Sequence, residues 1–186
     1  MRTIEIRRHS FTKKGEERGH GTHLSADGIR AARAVGDQIR PFHAVYTSGV
    51  QRTLETAVAM GFAVDNQVAD LARMDSDFWD EVGRHDHWSW DSPYDRYAEL
   101  LNANGPVSAL ADRHIELWRD FLDRAPDSSN VLVVSHGHAI EASLVAAVGA
   151  AKLQPFENKP FGNIDGVRLT YDGKVFGNPK CVRLTS

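Results

Sequence analysis

The chain has 186 residues, of which 41% are hydrophobic and 25% are charged, which are ordinary values for a globular protein. A formal net charge of −3 excludes the strongly basic surface that binds nucleic acid or an anionic membrane. The lone Cys181 excludes an internal disulfide, and no apolar run approaches the roughly 20 residues of a membrane span. We therefore expect one cytoplasmic domain over residues 1–186, with no nucleic acid or membrane partner and the oligomeric state left open.

The first predicted element is a short strand, because apolar Ile4 and Ile6 alternate with polar neighbours. The pattern breaks at Ser10, which places Arg8 and His9 where the strand passes into a loop. Ligands of α/β folds bind at this end of the strands. A guanidinium beside an imidazole suits an anionic substrate, because arginine matches phosphate oxygens and imidazole can attack phosphorus.

Two helices and a short strand are predicted next. Ser25 is expected to cap a helix that ends near Arg40, and the second helix covers residues 50–60. Arg52 falls in the first turn of this second helix. Helix N-termini attract anions through their free N–H groups and disfavour cations, so Arg52 predicts an anion site at this end.

The segment over residues 70–93 has no clear periodicity and is rich in carboxylates, histidines and tryptophans. His85 and His87, with Asp86 and Asp91 nearby, could be metal ligands. Their spacing fits no common helical metal site, so an ordinary polar loop is the favoured interpretation and no metal is expected.

A long helix is predicted over residues 107–124, with His114 on its apolar stripe as a satisfied core residue. The apolar run from Val131 to Val134 then predicts a strand buried on both faces. It ends in Ser135-His136-Gly137, and another helix follows. Residues 167–176 predict a hairpin with a type I′ turn.

Four motifs occur in the order found in a known family: Arg8-His9, Leu24-Ser25-Ala26-Asp27-Gly28, residues 47–57 and Ser135-His136-Gly137. From about Arg2 to about Val167 the chain resembles the histidine phosphatase superfamily, which contains cofactor-dependent phosphoglycerate mutases and broad-specificity phosphatases. The resemblance implies an α/β fold of three layers, α/β/α, with a mostly parallel central sheet, helices on both faces and a cap insertion at about residues 70–106.

The resemblance also implies a site. His9 would be the phosphorylated nucleophile, and Arg8, Arg52 and a protonated His136 would clamp the phosphate. Ser10 replaces the usual glycine of the family and is included among the expected phosphate contacts.

The acid motif of the family, acid-x-x-Phe-Gly, matches poorly. Asp75 is the first choice for the general acid, followed by Asp77 and Glu81, which are also expected substrate contacts. His138 is a further expected substrate contact.

The expected activity is hydrolysis of small phosphate monoesters through a phosphohistidine on His9, with no metal or cofactor. Three alternatives stay open at this point. One is a phosphoglycerate-mutase-like phosphotransferase that returns the phosphoryl group to the bound product. Another is a non-catalytic relative that keeps the phosphate clamp but has lost the acid. The third is a metal-dependent phosphoesterase, which metal at His85 and His87 would support.

Overall fold

The computed structural model describes residues 1–15, 22–39, 41–83 and 89–183. Within these ranges six strands form one sheet: β1 (Arg2–Arg8), β2 (Ala44–Thr47), β3 (Asn66–Gln67), β4 (Asn130–Ser135), β5 (Gly166–Tyr171) and β6 (Phe176–Val182). The α-helices are α1 (Ala26–Gly36), α2 (Gln51–Ala59), α3 (Ser76–Glu81), α4 (Pro93–Asn102), α5 (Pro106–Asp123) and α6 (Gly137–Val148). In the described part of the chain, 3₁₀-helices cover Ala69–Ala72 and Ala150–Phe156.

The sheet has the strand order β3-β2-β4-β1-β5-β6. The four strands from β3 to β1 pair in parallel, whereas β5 and β6 join antiparallel. Arg8 pairs with Ser135, and Thr47 pairs with Val134, so the carboxyl ends of β1, β2 and β4 meet at one edge. The predicted α/β fold is therefore confirmed.

Alternating side chains of β4 build two cores on opposite faces of the sheet. Val131 and Val133 pack with residues of α4, α5 and α6, whereas Leu132 and Val134 pack with residues of α1 and α2. All four are fully buried. This explains the unbroken apolar run, because a strand covered by helices on both sides needs apolar groups on each face.

Apolar and polar residues alternate along β1, but neither face of the strand is exposed to solvent. Glu5 and Arg7 are 1% and 4% exposed, and Arg7 Nε donates to Glu5 Oε1 at 2.6 Å. Arg168 of β5 donates to the second oxygen of Glu5. Buried charges need such partners because an unpaired one would be strongly destabilising.

The helix predictions hold with small shifts in the ends. Ser25 caps α1, since its Oγ accepts from the Gly28 N–H at 3.0 Å, but α1 ends at Gly36 and not near Arg40. None of the helices in the described ranges is long and apolar enough to cross a bilayer.

The predicted hairpin forms, but its turn is not type I′. A type I′ turn needs a positive φ at both central residues, and Gly173 has one but neither Asp172 nor Lys174 does. Asp172 Oδ1 instead accepts from the N–H groups of Lys174 and Val175 at 2.8 and 2.9 Å. The aspartate side chain therefore shapes the loop.

Candidate active site

The end of β1 carries His9, which faces His136 across the carboxyl edge of the sheet. The two ring centroids are 5.5 Å apart and the ring planes lie at 62°. The two residues are 127 positions apart in the sequence, and they meet because β1 and β4 are adjacent parallel strands in register. The structure therefore brings together the two histidines that the strand-end pattern singled out.

The protonation of His9 follows from its contacts. Nδ1 lies 2.9 Å from the carbonyl oxygen of Ser10, and a carbonyl can only accept, so Nδ1 carries the proton. Burial, together with the charges of Arg8 and Arg52, lowers the pKa of His9 to about 3. The ring is therefore neutral at physiological pH, with its lone pair on Nε2.

His136 belongs to a chain of hydrogen bonds in which each group donates to the next, from Arg52 to the Val50 carbonyl. Thr53 Oγ1 donates to the Val50 carbonyl at 2.7 Å, so Ser48 Oγ donates to Thr53 Oγ1 at 2.9 Å. Ser48 Oγ then accepts from His136 Nε2 at 3.0 Å, and His136 Nδ1 accepts from Arg52 Nη2 at 3.2 Å. One proton on Nε2 satisfies every bond of this chain.

The expectation of a protonated His136 concerns the site with phosphate bound, and the hydrogen bonds seen here leave the ring neutral. Burial lowers the pKa of His136 well below its usual value, and the charges of Arg52 and Arg8 lower it further. In the unliganded site the ring is therefore neutral. A phosphate dianion would oppose these cationic neighbours and favour proton uptake by His136.

Arg8 and Arg52 form a pair of cations at the same edge. Arg8 Nη1 donates to the Phe161 carbonyl at 2.6 Å, and the Arg8 side chain lies against Gly137, where an added Cβ would come within 3.3 Å of Arg8 Cδ. Burial lowers the pKa of Arg52, and the charge of Arg8 lowers it further. Two guanidiniums held within each other's field beside a helix N-terminus create a strong local attraction for an anion.

Ser10 does not fit the phosphate-binding role expected for it. Its N–H donates to Thr56 Oγ1 at 2.9 Å, and its Oγ donates to the Gly28 carbonyl at 2.8 Å. Ser10 is fully buried, so both donors serve the protein interior. The residue instead joins the end of β1 to α1 and α2.

The three candidate carboxylates have different surroundings. Asp75 is exposed and caps α3, with Oδ1 accepting from the Phe78 N–H at 3.0 Å. Asp77 is exposed in the first turn of α3. Glu81 Oε2 accepts from the Val107 N–H at 2.7 Å, which caps α5 and does not support a contact with substrate.

His138 lies between the phosphate clamp and the segment predicted to be a cap. Its Nδ1 is 2.9 Å from the Tyr97 hydroxyl on α4, and its ring is 5.0 Å from that of Trp79 on α3. Ser135 Oγ also donates to the Leu71 carbonyl at 2.8 Å, at the start of the same segment. These contacts connect residues 71–97 to the end of β4.

Sequence reasoning missed Glu141 on α6. This carboxylate is fully buried, and its Oε1 accepts from the Phe161 N–H at 2.6 Å. Burial raises the pKa of Glu141 to about 7. A single carboxylate in an otherwise apolar helix was the available signal. Because Arg8 contacts the carbonyl of the same Phe161, Glu141 helps to position that cation.

Sequence reasoning also missed the hydroxyls of Ser48, Thr53 and Thr56, although all three lie in the motif over residues 47–57. The possible metal ligands His85, Asp86 and His87 lie outside the described residues. Within the described ranges no group of three His, Cys, Asp or Glu side chains could hold a metal ion.

Two arginines and two neutral histidines thus lie together at the carboxyl edge of the parallel strands. The sequence profile of the histidine phosphatase superfamily (branch 1) matches residues 4–181. The chain belongs to this superfamily, which confirms the resemblance seen in the motifs.

Several solved structures share the fold. The phosphoserine phosphatase of Entamoeba histolytica has a TM-score of 0.64 and 18% identity, over 100% of this chain and 98% of that one. YhfR of Bacillus stearothermophilus has a TM-score of 0.66 and 22% identity, over 95% of each chain. A mycobacterial glucosyl-3-phosphoglycerate phosphatase has a TM-score of 0.64 and 19% identity, over 100% of each. No curated protein sequence matches the chain significantly.

Proposed function

We propose that the protein is a phosphatase that hydrolyses small phosphate monoesters through a phosphohistidine on His9. The observation that carries this proposal is the state of the His9 ring. Its Nδ1 is committed to the Ser10 carbonyl, so the neutral ring has its nucleophilic lone pair on Nε2. Arg8, Arg52 and His136 surround that ring with groups that bind an anion.

The reaction has two steps. In the first, Nε2 of His9 attacks phosphorus in line, the new P–N bond forms, and the P–O bond to the leaving group breaks. A carboxylic acid, which we assign to Asp75, gives its proton to the leaving oxygen. In the second step that carboxylate takes a proton from water, the water oxygen attacks phosphorus, and the P–N bond breaks to release inorganic phosphate.

The cations act on the charge that develops on the phosphoryl oxygens. At about 4 Å and an effective dielectric constant near 20, one cation–oxygen contact contributes about 4 kcal/mol before desolvation. The Arg8 and Arg52 charges are already in place before substrate binds, so no reorganisation is needed during the reaction. The side chains present thus supply both nucleophile and charge, and the proposed steps need neither metal nor cofactor.

The substrate class and the domain plan are part of the same proposal. We assign the whole chain to one domain, in which residues 70–106 cap the site and select the leaving group. The contacts of Trp79 and Tyr97 with His138 support this role. The fold is similar to that of a phosphoserine phosphatase and to that of a glucosyl-3-phosphoglycerate phosphatase, which supports small phosphorylated metabolites as substrates. The lone Cys181 supports a reducing compartment, for which we propose the cytoplasm.

The direct test is His9→Ala with an aryl phosphate as substrate. The parent protein should give a burst of phenol and an acid-labile, alkali-stable phosphoprotein, and the variant should give neither. His43→Ala is the matched control, because His43 is an exposed histidine with no role in the site. A variant that cleaves the aryl phosphate at the parent rate would exclude the mechanism.

A second measurement separates hydrolysis from the alternatives. Turnover in ¹⁸O-labelled water should place one labelled oxygen in each released phosphate. A mutase would instead return unlabelled phosphoryl groups to an organic product. A non-catalytic relative would bind inorganic phosphate without forming a phosphoprotein.

A further inference from the structure

A loop outside the recognised motifs contacts the backbone of the proposed nucleophile, His9. Residues 161–165, here called the anchor loop, precede β5 and contact the end of β1 along their length. Arg8 donates its backbone N–H to the Asp165 carbonyl at 2.9 Å, and Ile164 donates its N–H to the His9 carbonyl at 3.2 Å. The sequence shows this segment only as irregular, so its role becomes visible in three dimensions.

Asn163 makes the most specific contacts of the anchor loop. Its Nδ2 donates to the His9 carbonyl at 3.2 Å and to the Ser10 carbonyl at 3.1 Å. Both neighbours are carbonyl oxygens, which only accept, so the amide must present its NH₂ group to them. One side chain therefore fixes two consecutive peptide units.

The second of these carbonyls is the one that fixes the tautomer of His9. The Ser10 oxygen accepts from Nδ1 of His9 at 2.9 Å as well as from Asn163. The hydrogen bond made by one ring nitrogen of a histidine decides which of the two nitrogens bears the proton. If the Ser10 carbonyl rotated away, the proton could move to Nε2, and the nucleophilic lone pair would be lost.

The backbone of the anchor loop is held in an unfavourable conformation. Ile164 has a φ of +64°, in the left-handed region that a β-branched residue rarely adopts. Its N–H donates to the His9 carbonyl, and its carbonyl accepts from Arg7 Nη1 at 2.9 Å. Such a conformation persists only where surrounding contacts over-determine it, and these conformations concentrate at functional sites.

We propose that Asn163 is a positioning residue that holds the Ser10 carbonyl in place and thereby keeps the lone pair of His9 on Nε2. The inference rests on the proposed phosphohistidine mechanism, which it extends by a residue that touches neither substrate nor phosphate. It assigns the anchor loop to the catalytic apparatus as support for the nucleophile.

The test compares Asn163→Ala and Asn163→Asp with the parent protein. Alanine removes both donated hydrogen bonds, and aspartate keeps the shape but offers only acceptors to the two carbonyls. Asn102→Ala, at the exposed end of α4, is the matched control. Three quantities are measured: the rate of the phenol burst, the inhibition constant of inorganic phosphate, and the tautomer of His9 by two-bond ¹H–¹⁵N correlation NMR.

We expect the burst rate to fall at least about tenfold in both Asn163 variants, because small misplacements of a reacting group are costly. The phosphate inhibition constant should stay within threefold of the parent value. The His9 spectrum should change from a single Nδ1–H tautomer to a mixture. Should the alanine variant fail to fold, the aspartate variant decides by the same three measurements.

Two results would overturn the inference. One is an unchanged His9 tautomer with a burst rate within twofold of the parent. The other is a loss of phosphate binding as large as the loss of rate, which would mean general damage to the clamp. A parent protein that forms no phosphohistidine would instead refute the proposed function, while the NMR tautomer would still decide the role of Asn163.

Discussion

His9 and His136 are held by opposite nitrogens, although their rings face each other 5.5 Å apart. His9 is fixed through Nδ1 by a backbone carbonyl, whereas His136 has its proton on Nε2 and offers Nδ1 to Arg52. The same side chain is thus prepared for two tasks by its hydrogen-bond partners. On the proposed mechanism, His9 is the neutral nucleophile, and His136 takes up a proton when the phosphate binds.

Replacement of Arg52 should show how much the clamp contributes. Arg52→Ala removes a cation and the donor to His136 Nδ1, so kcat should fall by about 10²- to 10³-fold, the loss expected for an oxyanion donor. Steady-state kinetics with an aryl phosphate measures the effect. Arg30→Ala, in an exposed arginine of α1, provides the control. A loss of less than threefold would remove Arg52 from the site.

Ser48→Ala should test the hydrogen-bond chain behind His136. The substitution leaves Nε2 without its acceptor, so the ring is freer to rotate or to change tautomer. We expect unfolding in urea to become easier by about 1–3 kcal/mol, the usual cost of a buried group left unsatisfied, together with a lower kcat. Ser48→Thr keeps the hydroxyl and should retain more of both. An equal kcat in the alanine variant and the parent would show that this hydrogen-bond chain does not support catalysis.

Asp75→Asn should identify the general acid with little structural disturbance, because asparagine caps helices as well as aspartate does. If Asp75 protonates the leaving oxygen, kcat should fall far more for an alkyl phosphate than for an aryl phosphate, whose leaving group needs less help. Asp77→Asn and Glu81→Gln should lose less. A larger loss in either of them would move the acid to that residue.

The stability of the protein should depend on pH through His114. Its Nε2 donates to the Asp70 carbonyl at 3.0 Å, and burial lowers its pKa from 6.5 to about 4. Below pH 6.5 the unfolded chain therefore binds a proton that the folded protein does not, so stability falls as the pH drops toward about 4. Between pH 6.5 and 5.0 this one histidine should cost about 2 kcal/mol.

His114→Gln provides the comparison, because glutamine can still donate to the Asp70 carbonyl but does not titrate. Urea unfolding at pH 6.5 and at pH 5.0 should show a smaller loss of stability in the variant than in the parent. His9 and His136 contribute to the same trend in both proteins, so the difference between the two isolates His114. An equal loss of stability in both proteins would show that the pKa of His114 is the same in the folded and the unfolded chain.

The sequence predicted those parts of the site that depend on strand ends and helix starts. Arg8, His9 and His136 follow from the termination of β1 and β4, and Arg52 follows from an arginine in the first turn of a helix. Adjacent parallel strands bring such residues together by geometry alone. The fold class, the α1 cap at Ser25 and the core position of His114 follow from equally local rules.

Other features could not be predicted because they depend on contacts between distant segments. Nothing local shows that both donors of Ser10 are directed inward, or that Glu81 caps α5. The burial of Glu5 and Arg7 depends on Arg168, which lies 163 positions from Glu5 and pairs with it only across the sheet. The acid motif departs from the pattern of the family, so Asp75 stays a prediction.

The contact between Asn163 and His9 joins residues 154 positions apart. During synthesis the N-terminal part of a chain is made first, so the nucleophilic histidine emerges from the ribosome long before the segment that secures its backbone. A growing polypeptide therefore carries a loosely held imidazole until β5 docks against β1. On the proposed mechanism, phosphoryl transfer should therefore begin only when the anchor loop has folded, and a chain truncated before residue 161 should form no phosphohistidine.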